Sequence, residues 1–366
     1  MLQTRRYKIC LVGDLLAGGG AERVHAHLSV FFDGAGIEVH NVIVQDRVEY
    51  PYAGSLLNLG KLKNKSNGPF NRLNRFAVLR NYIRKNNFDY IIDFRMRKKP
   101  LQDLFISRLV FTVPTIYTVH SAKLDWYFPD MRWLSRLIYK DAFGIVAVAS
   151  RVKQEIIAKY GLENVTTIYN PVDVAEIARL AAQKNPLAGQ RYIVAMGRLQ
   201  NSVKQFDKLI EAYASSALPN EGVKLVLLGR GRDEISLKAL ATEKGVGQHV
   251  LFEGFSQNPY VYLKDAICLV LCSKVEGFPM ALVEALACGT PVIAFDSFSG
   301  AGEIVHHGQN GLLVPGGDFT KFADAMHQMA FDGELRNRCS VNAAASIVHL
   351  HLDAIGKQWL HYLKIQ

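Results

Sequence analysis

Nothing in the 366-residue sequence is an apolar run long enough to cross a bilayer. No apolar leader with a small-residue cleavage site opens it either, since Arg5 and Arg6 lead straight into a short strand. These absences predict a cytoplasmic protein, soluble or held peripherally at the inner face of a membrane. Five cysteines (Cys10, Cys268, Cys272, Cys288, Cys339) form no CxxC pair, and three lie in or beside apolar runs. Buried reduced thiols are therefore expected. Gly13 and Gly18 have the wrong spacing for GxGxxG, and no Gly-Lys-Ser/Thr follows the glycines. The dinucleotide fingerprint and the P-loop are both missing, which leaves a nicotinamide oxidoreductase unsupported. No DxD pair stands ready to hold a nucleotide-bound divalent ion. The triplets His25/His27 and His349/His351 fall in expected helices, where a spacing of two separates the rings onto different faces. No metal site is expected.

What is present suggests two domains, from length alone. The hydrophobic fraction is 49% and the charged fraction 21%, ordinary for a globular protein, and net charge is +10. That charge is concentrated: Lys61, Lys63, Lys65, Arg72, Arg75, Arg80, Arg84 and Lys85, then Arg95, Arg97, Lys98 and Lys99. A basic face attracts phosphates, anionic lipid or nucleic acid, and a solvated face is an equal alternative. No nucleic-acid module accompanies the charge, so nucleic acid is not an expected partner.

Short β-branched runs alternate with helical stretches. In the first half, strands are expected at Lys8–Val12, Val39–Val44, Tyr90–Phe94, Thr115–Val119, Gly144–Val148 and Val165–Tyr169. Helices are expected at Ala21–Phe32, Leu73–Lys85 and Trp133–Lys140. Asn170-Pro171 closes that half. The second half repeats the scheme. Its strands are Tyr192–Met196, Lys224–Leu228, Val250–Phe252, Ile267–Leu271, Pro291–Phe295 and Gly311–Val314. Its helices are Lys204–Ala214, Ile235–Lys244, Met280–Ala287 and Phe319–Met329. An amphipathic stretch, about Leu352–Leu363, ends the chain. Continuous apolar strands between helices imply parallel sheets covered on both faces. The expected architecture is α/β, with two facing Rossmann-like, doubly wound domains and a cleft between them. Residues 1–171 would form the first domain, with the helix at about 349–366 packed back on it. Residues 172–348 would form the second.

Several strand-to-helix junctions can meet an anion. Gly18-Gly19-Gly20-Ala21-Glu22-Arg23 follows the first strand, where backbone amides and a helix N-terminus face outward; a tight turn is the plain alternative. Arg198 and Lys204 follow Tyr192–Met196 and would converge at the sheet's carboxyl end, where two cations suit a diphosphate; two surface cations are an equal reading. Leu228-Gly229-Arg230-Gly231-Arg232 could line a base or ribose, or be an ordinary turn. The most specific stretch runs from Glu276 to Gly289. Pro279 marks a helix start and Gly289 its stop. Glu276 thus precedes the helix and Glu284 lies on it, with the amides near Met280 and Ala281 open to phosphate oxygens. The plainer alternatives are a capping Glu276 and a solvated Glu284. His120 ends Thr115–Val119, where functional residues of such sheets gather; taken alone, a satisfied surface or core histidine is the commoner case.

Glu276 and Glu284 have the E-x7-E spacing of the retaining glycosyltransferases of family 4, which have the GT-B fold. The resemblance extends over nearly the whole chain. It takes in the Gly18–Arg23 loop, Tyr169–Asp173, Gly197-Arg198-Leu199 with Lys204, the loop after Leu228, Glu253-Gly254-Phe255 and Glu303. The chain resembles enzymes that build capsular, O-antigen or other lipid-linked bacterial glycans. The resemblance implies that Arg198 and Lys204 bind the donor diphosphate and stabilise the leaving charge. Glu276 would contact donor sugar hydroxyls with the amides of Gly277 and Phe278, and Glu284 would hold the ribose. Phe255 and its neighbours would flank the base. Gly19 and Gly20 would approach the diphosphate, and His120 the donor sugar. Gly229, Arg230, Pro279, Met280 and Ala281 complete the expected donor site. The family's glycine after the lysine is Gln205 here.

The expected activity is that of a hexosyltransferase. A sugar passes from a nucleotide diphosphate donor, UDP-linked hexose or N-acetylhexosamine by family habit, to a glycan or polyprenyl-diphosphate-linked acceptor. Configuration is retained and no metal takes part. An anionic membrane surface is a further expected partner for the basic region. The alternatives are a nucleotide-sugar epimerase or hydrolase of the same fold, and a non-catalytic glycan-assembly partner.

Overall fold

The computed structural model describes residues 6–65, 68–296 and 300–365; Arg5 lies outside them. The chain divides into two compact units, one running to Pro171 and taking in the chain from Leu352, the other Val172–His351.

The first unit is built on a seven-stranded sheet. Its strands are β1 (Lys8–Gly13), β2 (Glu38–Ile43), β3 (Ser55–Asn58), β4 (Tyr90–Asp93), β5 (Thr115–Val119), β6 (Gly144–Ala147) and β7 (Val165–Thr167), ordered β3-β2-β1-β4-β5-β6-β7. All neighbouring pairs are parallel. Five consecutive buried residues make up β5, the burial pattern of a strand covered on both faces. The edge strand β3 is only half-buried, and its short pattern escapes sequence reading.

The order reverses between β1 and β4, and loops leaving the carboxyl ends of strands there form the usual ligand site of such sheets. The terminal Leu352–Tyr362 helix packs on the Gly20–Gly34 helix. Glycines mark its seats: a Cβ on Gly356 would fall 2.4 Å from the Phe31 ring, and one on Gly144 would fall 1.8 Å from Tyr362 Oη. Tyr90 Oη donates to Leu363 O at 2.7 Å.

The second unit holds six parallel strands: β8 (Tyr192–Met196), β9 (Lys224–Leu228), β10 (Val250–Gly254), β11 (Leu269–Leu271), β12 (Val292–Asp296) and β13 (Gly311–Pro315). Their order is β10-β9-β8-β11-β12-β13, with β8 at the reversal beside β11. One apolar core joins Ile193, Leu225, Val270, Ile293 and Leu312 from the sheet to Phe206, Leu209, Phe322 and Met326 from flanking helices.

Three expectations need correction. The helix expected over Lys204–Ala214 is broken: a four-residue turn, Asn201–Lys204, precedes a separate helix, Phe206–Ser215, and Gln205 between them is left-handed at φ 55°. His349 lies in a 3-10 turn and His351 in an isolated bridge to Val172, so that triplet is not helical. Arg95 and Arg97 do not join a basic face, because both are buried. Arg95 donates twice to the Asp93 carboxylate, at 2.8 and 2.9 Å. Arg97 is enclosed by the rings of Tyr117, Tyr127 and Tyr139, 5.2–5.7 Å from their centroids. Four of the cysteines are buried, Cys288 is partly so, and all five are free thiols.

Candidate functional site

In the second unit the loops after β8 and β9 lie against each other, and glycine makes that approach possible. Gly197 N donates to Leu228 O at 2.9 Å, and Leu199 N donates to Arg230 O at 3.1 Å. Gly229 has φ 144°, and a Cβ there would fall 1.9 Å from Gly197 O. A Cβ on Gly231 would fall 2.1 Å from Leu199 O. Asp233 then accepts from Asn201 N at 2.6 Å, fixing the start of the Asn201–Lys204 turn. At the other end of that turn, the Cys272 thiol lies 3.3 Å from Lys204 O and serves its free carbonyl. Lys274 N donates to Val203 O at 2.8 Å, tying the loop after β11 to the same turn. Asp233 and Cys272 were not legible as site-builders, because their partners are remote in sequence.

This frame delivers Lys204 to Glu276. Lys204 Nζ donates to Glu276 Oε1 at 2.5 Å, and the two side chains are 19% and 18% exposed. The pair spans the reversal between β8 and β11. Gly197 leaves room for it, since a Cβ there would meet Lys204 Cε at 3.1 Å. Arg198, next to Gly197 in the loop after β8, is exposed.

The loop holding Glu276 ends at the Met280–Ala287 helix, whose cap is Pro279. Pro279 offers no side-chain cap, so Glu276 is not a capping residue. Gly277 and Phe278 are buried, Met280 and Ala281 partly so. Glu284 is 6% exposed, so it is not a solvated helix residue. Phe255, just after β10, stands 59% exposed. Arg230, also exposed, lies over Gly254, whose Cβ position is 3.6 Å from Arg230 Nε. The second unit thus gathers cations, two carboxylates, a helix start and an open aromatic at the carboxyl edge of one sheet. Such a set can bind a phosphorylated, hydroxyl-rich ligand with an aromatic base.

The first unit, taken by itself, holds the remaining expected residues. Gly19 caps the Gly20–Gly34 helix with extended backbone, and a Cβ there would strike Glu22 Oε2 at 2.1 Å; Gly20 faces open space. His120, after β5, places Nε2 3.0 Å from Thr118 Oγ1. Its ring stacks on Phe94, which also stacks on His25, at centroid distances of 5.7 and 5.0 Å. Burial, and then the Arg97 cation, lower the His120 pKa to about 3. The ring is therefore neutral at pH 7, suited to hydrogen bonding and not to carrying charge.

Two family descriptions match the chain: "Glycosyltransferase Family 4" over residues 18–176 and "Glycosyl transferases group 1" over residues 176–346. The chain is 26% identical over 359 residues to the Campylobacter jejuni N-acetylgalactosamine-N,N'-diacetylbacillosaminyl-diphospho-undecaprenol 4-alpha-N-acetylgalactosaminyltransferase, covering 95% of this chain and 97% of that one. It is 27% identical over 197 residues to the Salmonella typhimurium lipopolysaccharide 1,6-galactosyltransferase, about half of each chain (52% and 53%). Among solved structures, Anabaena HepE in complex with UDP-glucose superposes with a TM-score of 0.78 at 21% identity, over 98% of this chain and 99% of that one. The outer core galactosyltransferase WaaB gives 0.69 at 20%, over 98% and 99%. At such identities these two structures bear on the fold, a pair of Rossmann-like domains of the GT-B type. With the two family matches running in register with the two sheets, the chain belongs to glycosyltransferase family 4.

Proposed function

We propose that this glycosyltransferase moves a sugar from a UDP-linked donor to a lipid-linked or glycan acceptor, with retention of configuration, in the synthesis of bacterial surface polysaccharide. The observation that carries the donor reading is the meeting of Lys204 and Glu276 at the reversal of the second sheet, with Arg198 exposed in the loop after β8. On this reading the donor diphosphate draws Lys204 toward itself, together with Arg198 and the amides before the Met280–Ala287 helix. Glu276 is then released to accept from sugar hydroxyls. Cations and amides aimed at the leaving diphosphate would supply most of the rate enhancement, without a metal. Glu284 holds the ribose and Phe255 flanks the base, and neutral His120 donates to the donor sugar. The departing phosphate oxygen takes the acceptor proton on the same face of the sugar ring.

The relatives support the donor and acceptor classes by what they are. HepE was solved with UDP-glucose, and the Campylobacter jejuni enzyme is named for a diphospho-undecaprenol acceptor. Epimerisation or hydrolysis would need no acceptor, and the Campylobacter jejuni, Salmonella typhimurium and WaaB proteins are all transferases by name. Membrane contact draws support from the Pro69–Asn86 helix: at its start Phe70 is 89% and Leu73 52% exposed with exposed Arg72 between them, and Arg84 and Lys85 are exposed in its last turn.

The test is a panel of nucleotide sugars scored by thermal shift, because a ligand bound only by the folded state raises the melting temperature. A UDP-sugar should raise it, and Arg198→Ala and Glu276→Ala should lose the rise. A full rise in both variants would place the donor elsewhere.

A further inference from the structure

Beyond the donor site, the carboxyl edge of the first sheet carries a second cationic feature. Lys98 follows β4 and Lys123 follows β5, yet both ammonium groups lie over one indole: Lys98 Nζ is 4.4 Å and Lys123 Nζ 5.3 Å from the ring centroid of Trp126. The charges therefore sit within about one Debye length of each other, ~10 Å at 0.1 M salt. Neither has a carboxylate within ion-pair distance among the described residues.

The arrangement is held rigidly by the buried neighbour of Lys98. Arg97 N donates to Trp126 O at 2.8 Å, joining the two loops. The Arg97 guanidinium donates to Thr118 O at 2.9 Å, Arg95 O at 3.0 Å and Tyr139 Oη at 3.0 Å. Tyr139 Oη in turn donates to Tyr127 O at 2.6 Å. A cavity of about 300 Å³ opens beside this platform, with Lys98 on its wall together with Asp125, Asp130, Phe128 and Met131. Asp130 is shared with Lys159 at 3.8 Å. Two preset cations suit a phosphate, and adjoining carboxylates suit the hydroxyls of a sugar attached to it.

We propose that Lys98, Lys123 and Trp126 form the subsite for the phosphate or diphosphate of the acceptor, with the acceptor's first sugar in the adjoining cavity. The proposal rests on the transfer reading above and adds the residues by which a phosphorylated acceptor is selected over a neutral glycan.

Three preparations are compared with the native protein: Lys98→Gln/Lys123→Gln, Lys98→Arg/Lys123→Arg, and Trp126→Leu. Each is assayed with a water-soluble short-chain prenyl-diphosphate glycan and with the same glycan lacking phosphate, and titrated with inorganic pyrophosphate. In the Gln pair, KM for the diphosphate acceptor should rise roughly tenfold or more, with kcat within about twofold. KM for the neutral glycan should rise far less, pyrophosphate binding should weaken by a factor similar to that for the diphosphate acceptor, and the Arg pair should restore both. An equal rise for both acceptors, or none for either, overturns the subsite. So does a Gln pair that loses only sedimentation with anionic vesicles while keeping its KM for the soluble acceptor, since the lysines would then serve lipid headgroups. If no nucleotide sugar shifts the native melting temperature, the transfer reading falls. The pyrophosphate titration then still decides the subsite, because unchanged binding in the Gln pair overturns it.

Discussion

Lys204 and Glu276 meet at 2.5 Å although they leave the sheet on opposite sides of its reversal, one after β8 and one after β11. Each is about four-fifths buried, so each is the other's main source of charge compensation. On the proposed donor reading, their roles in binding are then coupled. In a double-mutant cycle with Lys204→Met and Glu276→Gln, the losses in UDP-sugar affinity should fail to add, by about 0.5–3 kcal/mol. Calorimetric titration of the four proteins measures this. Additive losses would mean that the two side chains serve the donor independently.

The contact between the β8 and β9 loops depends on absent side chains. Gly229→Ala places a methyl 1.9 Å from Gly197 O at φ 144° and should cost about 2–4 kcal/mol in urea denaturation. Gly20→Ala, where nothing lies within 4 Å, should stay close to the native midpoint.

Gln205 holds a left-handed conformation that the family's glycine would take without strain. Gln205→Gly should change stability by less than about 1 kcal/mol, since relief of strain is opposed by greater freedom of the unfolded chain. Gln205→Val, β-branched at positive φ, should cost about 1–3 kcal/mol and weaken donor binding by misplacing Lys204. Thermal melts with and without a UDP-sugar measure both effects. Equal melts for the two variants would show that backbone conformation at 205 does not set the lysine.

Burial, above all else, lowers His25 to about 4 and His120 to about 3, against an ordinary value of about 6.5. Below pH 6.5 the unfolded chain takes up protons on both rings while the folded chain does not. Their contribution to stability is complete above that pH and is lost as pH falls toward 4. Urea midpoints at pH 7, 6, 5 and 4 should decline, and His120→Gln should make the decline shallower by up to one proton's share. A native midpoint that is flat over this range would contradict neutral, buried rings.

Much of the scaffold was legible because it is written in continuous apolar runs. Thr115–Val119, Tyr192–Met196, Lys224–Leu228 and Met280–Ala287 stand where the sequence places them. Their neighbours in space supply the same burial on both faces, so local pattern and tertiary context agree. The Lys204 turn was not legible, because nothing in Gln205 announces positive φ. The buried Arg97 was hidden for another reason. Its cage comes from Tyr117, Tyr127 and Tyr139, and a run of basic residues reads as surface until those rings are brought together. The Lys204–Glu276 pair, 72 residues apart, becomes visible only once β8 and β11 are neighbours.

The return of the Leu352–Tyr362 helix to the Gly20–Gly34 helix has a bearing on biosynthesis. The amino-terminal unit lacks one of its own walls until the ribosome has made the other unit in full. Through most of translation, Phe31 and Tyr90 therefore wait without the surface that covers them. A premature stop near residue 350 would harm the half of the molecule farthest from it in sequence, and a nascent chain stalled there should be open to proteases within its first 171 residues.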